Sequence, residues 1–129
     1  MSHWTAPYIG LEYIPIQRDC AALATTVQAE VFGRDIYDAA ERANGLRAQS
    51  HQLTMELARL VQPTSDPIEG DLVLMRSRGS LSHIGVFATI NGADYVLHAM
   101  RNAGQVVLHR IADLWKVGLD IEGYYRWTD

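Results

Sequence analysis

Cys20 is the only cysteine in the chain, and it directly follows Asp19 at the start of an alanine-rich stretch, Cys20-Ala21-Ala22-Leu23-Ala24. A thiol at a helix N-terminus lies at the positive end of the helix dipole, which favours the thiolate. Asp19 suits the N-cap, because its carboxylate can accept a hydrogen bond from an N–H of the first turn. That carboxylate also repels a thiolate, so the cap alone does not make Cys20 reactive. A neighbouring imidazole would, and His83 and His98 lie downstream in strand-forming sequence.

The dipeptide Asn91-Gly92 between them is a strong two-residue hairpin signal. With that turn, Ile90 pairs with Ala93, His83 falls opposite Met100, and Gly85 falls opposite His98. The two histidines then point to one face as diagonal neighbours, roughly 7–8 Å apart. A four-residue loop preserves that facing and a three-residue loop reverses it. Gly85 leaves space above the pleat for a ring or a substrate. The arrangement predicts a nucleophile, Cys20, a base, His83, and an orienting partner for the base, His98. His3, His51 and His109 are expected to lie outside the chemistry. Zinc is the competing reading, with Cys20, His83 and His98 as three ligands. No closely spaced ligand pair and no fourth ligand support it.

The elements that must position these residues follow from the hydrophobic period. Residues 4–18 hold Pro7, Gly10 and Pro15 and read as an irregular lead-in. A helix is expected from about Cys20 to Phe32, with Cys20, Leu23, Val27 and Val31 on one face and Gly33 as its stop. Ile36 to Ala43 reads as helical up to Asn44-Gly45. A further helix, about Leu46 to Val61, carries Leu46, Leu53, Leu57 and Leu60 on one stripe and ends at Pro63. Thr64-Ser65-Asp66-Pro67 is a loop. Five strands are then expected: Leu72–Met75, Ile84–Ile90, Tyr95–Met100, Gln105–His109 and Ile121–Trp127, with a polar turn over Ser77–Ser80 and a short helical turn over Ile111–Val117. Helices first and an antiparallel meander second indicate an α+β fold, with N-terminal helices packed on a sheet of about five strands.

The 129 residues are read as a single domain, 1–129, with 34–63 as a possible helical insert. Apolar residues at 48% and charged residues at 20% are ordinary for a soluble globular chain. A net charge of −4 gives no basic footprint for nucleic acid. One cysteine forms no internal disulfide, and no apolar run is long enough for membrane insertion. Met1-Ser2-His3-Trp4-Thr5-Ala6-Pro7 has no signal-peptide pattern, so synthesis in a cytosol is expected.

Asp19-Cys20, Gly70-Asp71-Leu72-Val73, Ser82-His83-Ile84-Gly85-Val86-Phe87 and Val96-Leu97-His98-Ala99, in that order, resemble the motifs of NlpC-type cysteine peptidases. That family has a papain-like fold and cleaves bacterial cell-wall peptides. The opening, Tyr8-Ile9-Gly10-Leu11-Glu12-Tyr13 followed by Arg18-Asp19-Cys20 and Val31-Phe32-Gly33, looks most like the tail-assembly members of tailed bacteriophages. The resemblance implies Cys20 as nucleophile, His83 as general base and His98 as its orienting residue. It implies Tyr13 as an oxyanion-hole donor beside the Cys20 N–H, ahead of Tyr8. It also implies Asp19 and Ser82 as holders of the free amine of a peptidoglycan stem peptide.

The implied reaction is hydrolysis of a γ-D-glutamyl–diamino-acid bond through a thioester, with no cofactor and no metal. The implied partners are bacterial peptidoglycan and phage tail-tip or hub proteins, and the implied location is the host cytoplasm and then the virion. The chain departs from the family at Ala21-Ala22, where relatives commonly have serine and glycine, and at Ile14-Pro15-Ile16, where a glycine pair is usual. A structural tail-assembly module with little or no activity is therefore the alternative, and an amidase or acyltransferase is a weaker third reading.

Overall fold

The computed structural model describes residues 3–15, 17–34, 60–77 and 79–128, with the backbone alone at 80–82. Helix α1 (Cys20–Phe32) begins where Asp19 caps it, the Asp19 Oδ1 accepting from the Ala22 N–H at 2.9 Å. It ends at Gly33, which adopts the left-handed conformation (φ 69°) that glycine enters at little cost. The strands are β1 (Val61–Thr64), β2 (Leu72–Ser77), β3 (Ser80–Ile90), β4 (Ala93–Met100), β5 (Gln105–Arg110) and β6 (Leu119–Trp127). Short 3-10 turns, Arg101–Ala103 and Ile111–Val117, flank β5. The six strands form one antiparallel sheet in the order β1-β6-β2-β3-β4-β5.

The sheet has one strand more than expected. Val61–Thr64, which the sequence pattern places at a helix end and the start of a loop, pairs with β6 from Val61↔Trp127 to Thr64↔Tyr124. Pro63 is tolerated there because β1 is an edge strand among the described residues, paired with β6 on one side. Strand β3 starts at Ser80 rather than Ile84, and Ser80 pairs with Ser77 of β2 within the stretch expected as a turn. The expected helices over 36–43 and 46–61 lie outside the described residues, save for Leu60 and Val61.

Each face of the sheet carries its own core. Leu72, Leu74, Ile84, Val86, Leu97, Ala99 and Val106 pack with Leu23, Ala24 and Val27 of α1. Val73, Met75, Phe87 and Val96, on the other face, pack with Leu114 and Leu119. Burying each large side chain of this kind contributes about 1.5–3 kcal/mol.

Gly70 and Asp71 join α1 to the sheet. The Gly70 carbonyl accepts from Gln28 Nε2 at 2.9 Å and from Trp127 Nε1 at 3.0 Å. Gly70 has φ +91°, and a Cβ there would lie 2.9 Å from Cζ of Phe32, so a side chain does not fit. Buried Asp71 accepts from the Ile68 N–H at 2.8 Å and from Arg126 Nε and Nη2 at 3.1 and 2.8 Å. Burial of a carboxylate is tolerable with this many donors. The Gly-Asp motif thus has a structural task.

Candidate active site

The lead-in segment runs along the outer side of β5. The Gly10 N–H donates to the Val106 carbonyl, the Val106 N–H to Leu11, and the Tyr13 N–H to Gly104, all at 2.8–2.9 Å. These bonds occupy an otherwise open sheet edge and deliver Tyr13 to the end of β4. The chain then folds back: the Arg18 N–H donates to the Ile14 carbonyl at 2.7 Å, and Arg18 Nη1 donates to the Glu12 carbonyl at 3.0 Å. This tight loop, built around Ile14-Pro15, sets Tyr13 and Cys20 on one cavity.

Tyr13, Cys20 and His83 line that cavity of about 390 Å³ together with Ser77, Arg101, Asn102 and the apolar Val117 and Leu119. Cys20 is the first residue of α1 and is 4% exposed. Its thiol is therefore at the dipole-positive end of the helix and largely shielded from water.

The hairpin has the register expected from its turn, from Ile90↔Ala93 to Val86↔Leu97. Asn91 and Gly92 both have positive φ, 53° and 81°, as a two-residue type I′ turn requires. The ladder stops at Val86, so β3 is no longer paired with β4 at His83, where the cavity opens. His83 Nε2 is 2.8 Å from His98 Nδ1, with the rings edge to face at 78°. Nδ1 of His83 is the ring nitrogen that His98 does not engage.

Gly85 does not leave room for substrate. A Cβ there would collide with Cγ2 of Val96, lie 2.9 Å from the Leu97 carbonyl oxygen and 3.1 Å from the His98 Cβ. The glycine lets β4 approach closely and seats His98.

His98 is fully buried. Its Nε2 is 2.9 Å from Nδ1 of His109, so a third imidazole continues the row. His109, expected to lie outside the chemistry, is thus in hydrogen-bond contact with the ring that meets His83. That contact is visible only once the β4–β5 register is known: His98 pairs with Val107 and Val96 with His109, which makes the two histidines diagonal neighbours on one face.

Burial pushes the His83 imidazole down to about 4. It also holds His98 well below its usual value, with His83 and His109 acting in the same direction. Both rings are therefore neutral at pH 7, the form a proton acceptor needs. A thiolate forming in the same cavity would favour the imidazolium, so the titrations of thiol and imidazole would be coupled. Because both nitrogens of His98 face imidazoles, Cys20, His83 and His98 do not converge as zinc ligands would. Among the described residues no group of three or more His, Cys, Asp or Glu side chains is arranged to hold a metal.

The other site candidates separate. Tyr13 lies at the cavity. The hydroxyl of Tyr8 donates instead to Glu30 of α1, at 2.5 Å. Asp19 is 3% exposed and its cap bond is directed at the helix, not at the cavity. The side chain of Ser82 lies outside the described residues. Ala21 is fully buried in the core between α1 and the sheet, which accounts for its small apolar side chain. Sequence reasoning missed His109 and the loop clamp of Arg18.

No helix among the described residues is long and apolar enough to cross a membrane. No curated protein matches the chain. The model of the NlpC/P60 family matches residues 7–118, which takes in the lead-in, the cysteine helix and all three histidines of the row. With that match covering most of its length, the chain belongs to the NlpC/P60 family, whose members are generally cysteine peptidases that hydrolyse peptidoglycan.

Proposed function

We propose that this protein is a papain-like cysteine endopeptidase that cleaves γ-D-glutamyl–diamino-acid bonds in peptidoglycan stem peptides. The observation that carries the reading is that Cys20 and His83 line one cavity while His83 is hydrogen-bonded to buried His98. The Cys20 thiol gives its proton to Nδ1 of His83, and the sulfur attacks the scissile carbonyl carbon. The Cys20 N–H and Tyr13 stabilise the oxyanion, a contribution typically of about 3 kcal/mol. The His83 imidazolium then protonates the departing amine, leaving a thioester. Water, deprotonated by His83, hydrolyses that thioester and restores the thiol.

Arg101 supports an anionic substrate. It is exposed, lines the same cavity, and has no ion pair among the described residues. A stem peptide carries free carboxylates that it can meet. Asp19 and Ser82 are proposed to hold the peptide amine, Asp19 in addition to its cap.

The tail-tip role in a bacteriophage rests on the resemblance of Tyr8–Tyr13 and Arg18–Cys20 to tail-assembly members of the family. In that setting the protein is made in the host cytoplasm, binds tail-tip or hub proteins, and enters the virion. The test is digestion of purified peptidoglycan followed by mass analysis of the fragments. The proposal predicts new amines on the diamino acid. Fragments cut at glycosidic or other peptide bonds, or no fragments, contradict it.

A further inference from the structure

Of the three imidazoles in the row only His83 lines the cavity with Cys20; His98 is buried behind it, and His109 lies beyond His98 on β5. We propose that His109 is a positioning residue that fixes the tautomers of His98 and His83, so that Nδ1 of His83 is left with its lone pair. The proposal deepens the peptidase reading and rests on it for its catalytic consequence, but its physical content stands without any substrate.

Two hydrogen bonds join the three rings, His83 Nε2 to His98 Nδ1 and His98 Nε2 to His109 Nδ1. Each bond needs one proton between its two nitrogens. Neutral His98 carries a single N–H, so it donates through one nitrogen and accepts through the other. The two bonds therefore run in the same direction.

In one direction His83 donates to His98 and His98 donates to His109, and His83 Nδ1 is bare. In the other, His109 donates to His98 and His98 to His83. His83 then carries its proton on Nδ1, where it blocks transfer from the Cys20 thiol. His109 selects the productive direction by keeping its proton on Nε2, the tautomer a neutral histidine side chain favours, and accepting at Nδ1.

Solvent does not supply this acceptor, because His98 is fully buried. His109 is half-buried on β5 and reaches it from the neighbouring strand. No proton travels along the row during the reaction. His83 takes the thiol proton at Nδ1 and keeps its Nε2–H on His98, while His98 and His109 keep theirs.

The test uses the full chain, labelled with 15N on histidine, in alkaline buffer, with two variants. His109→Leu removes the acceptor. His109→Asp replaces it with a group that only accepts at the same distance along the side chain. We expect 15N shifts showing His98 and His83 as Nε2–H tautomers in the unaltered protein and in H109D, and loss of that signature in H109L.

Alkylation of Cys20 by iodoacetamide should slow roughly tenfold in H109L, since the productive tautomer then leaves a buried N–H unpaired. H109D should restore it. Unchanged tautomers and alkylation in H109L overturn the proposal, and so does an H109D variant as slow as H109L. Failure of the unaltered protein to cut peptidoglycan overturns the peptidase reading and leaves the tautomer result standing.

Discussion

His83 Nε2 lies 2.8 Å from Nδ1 of His98, a ring that has no exposed surface and sits on the next strand. The contact holds the His83 ring through Nε2, and His83 lines the cavity that holds Cys20.

Removing that contact should affect turnover more than binding. His98→Ala should lower kcat by about 100-fold or more, the usual worth of a positioned acid–base group, with a small change in KM. Steady-state kinetics on a soluble stem peptide checks this, and an equal loss carried by KM would point to a substrate contact instead.

Stability should fall on acidification. An unfolded chain protonates His83 near its ordinary pKa of about 6.5, whereas the folded chain resists until about 4. Between those values the unfolded state binds the extra proton, so acid favours unfolding. His83 alone should cost on the order of 3 kcal/mol between pH 7 and pH 4. His98 is shifted in the same direction and adds to it. Urea titrations across that range measure the effect, and a chain equally stable at both ends would contradict the burial of neutral rings.

Gly85→Ala tests the close approach of β3 and β4. The added methyl meets Val96, the Leu97 carbonyl and the His98 Cβ. Overpacking of this kind costs about 1–3 kcal/mol. The variant should melt lower and lose activity, because His98 is displaced. Unaltered melting would mean that the strands separate freely at this point.

Asp19 permits a clean distinction. Asp19→Asn retains the cap acceptor and should keep its stability within a few tenths of a kcal/mol, whereas Asp19→Ala should lose about 1 kcal/mol. A raised KM in the stable Asn variant would show that the carboxylate also meets the substrate amine. An Asn variant as unstable as Ala would contradict the cap.

Local rules made much of the site legible. Asp19 before Cys20 marked the helix start, and Asn91-Gly92 dictated a register that carried His83 and His98 to one face. What stayed hidden depended on contacts between distant segments. The β4–β5 register is governed by a 3-10 turn, Arg101–Ala103, with no dipeptide rule to fix its length, so His109 could not be aligned with His98. Val61–Thr64 becomes a strand only because β6, at the other end of the chain, pairs with it. Gly85 read as open space because a sequence does not show that Val96 fills it.

The most direct measurement is release of stem-peptide fragments from purified peptidoglycan by the unaltered protein and by Cys20→Ala, after both are shown to fold. Fragments are expected from the first and background from the second. Equal release by the Ala variant would contradict Cys20 as the nucleophile.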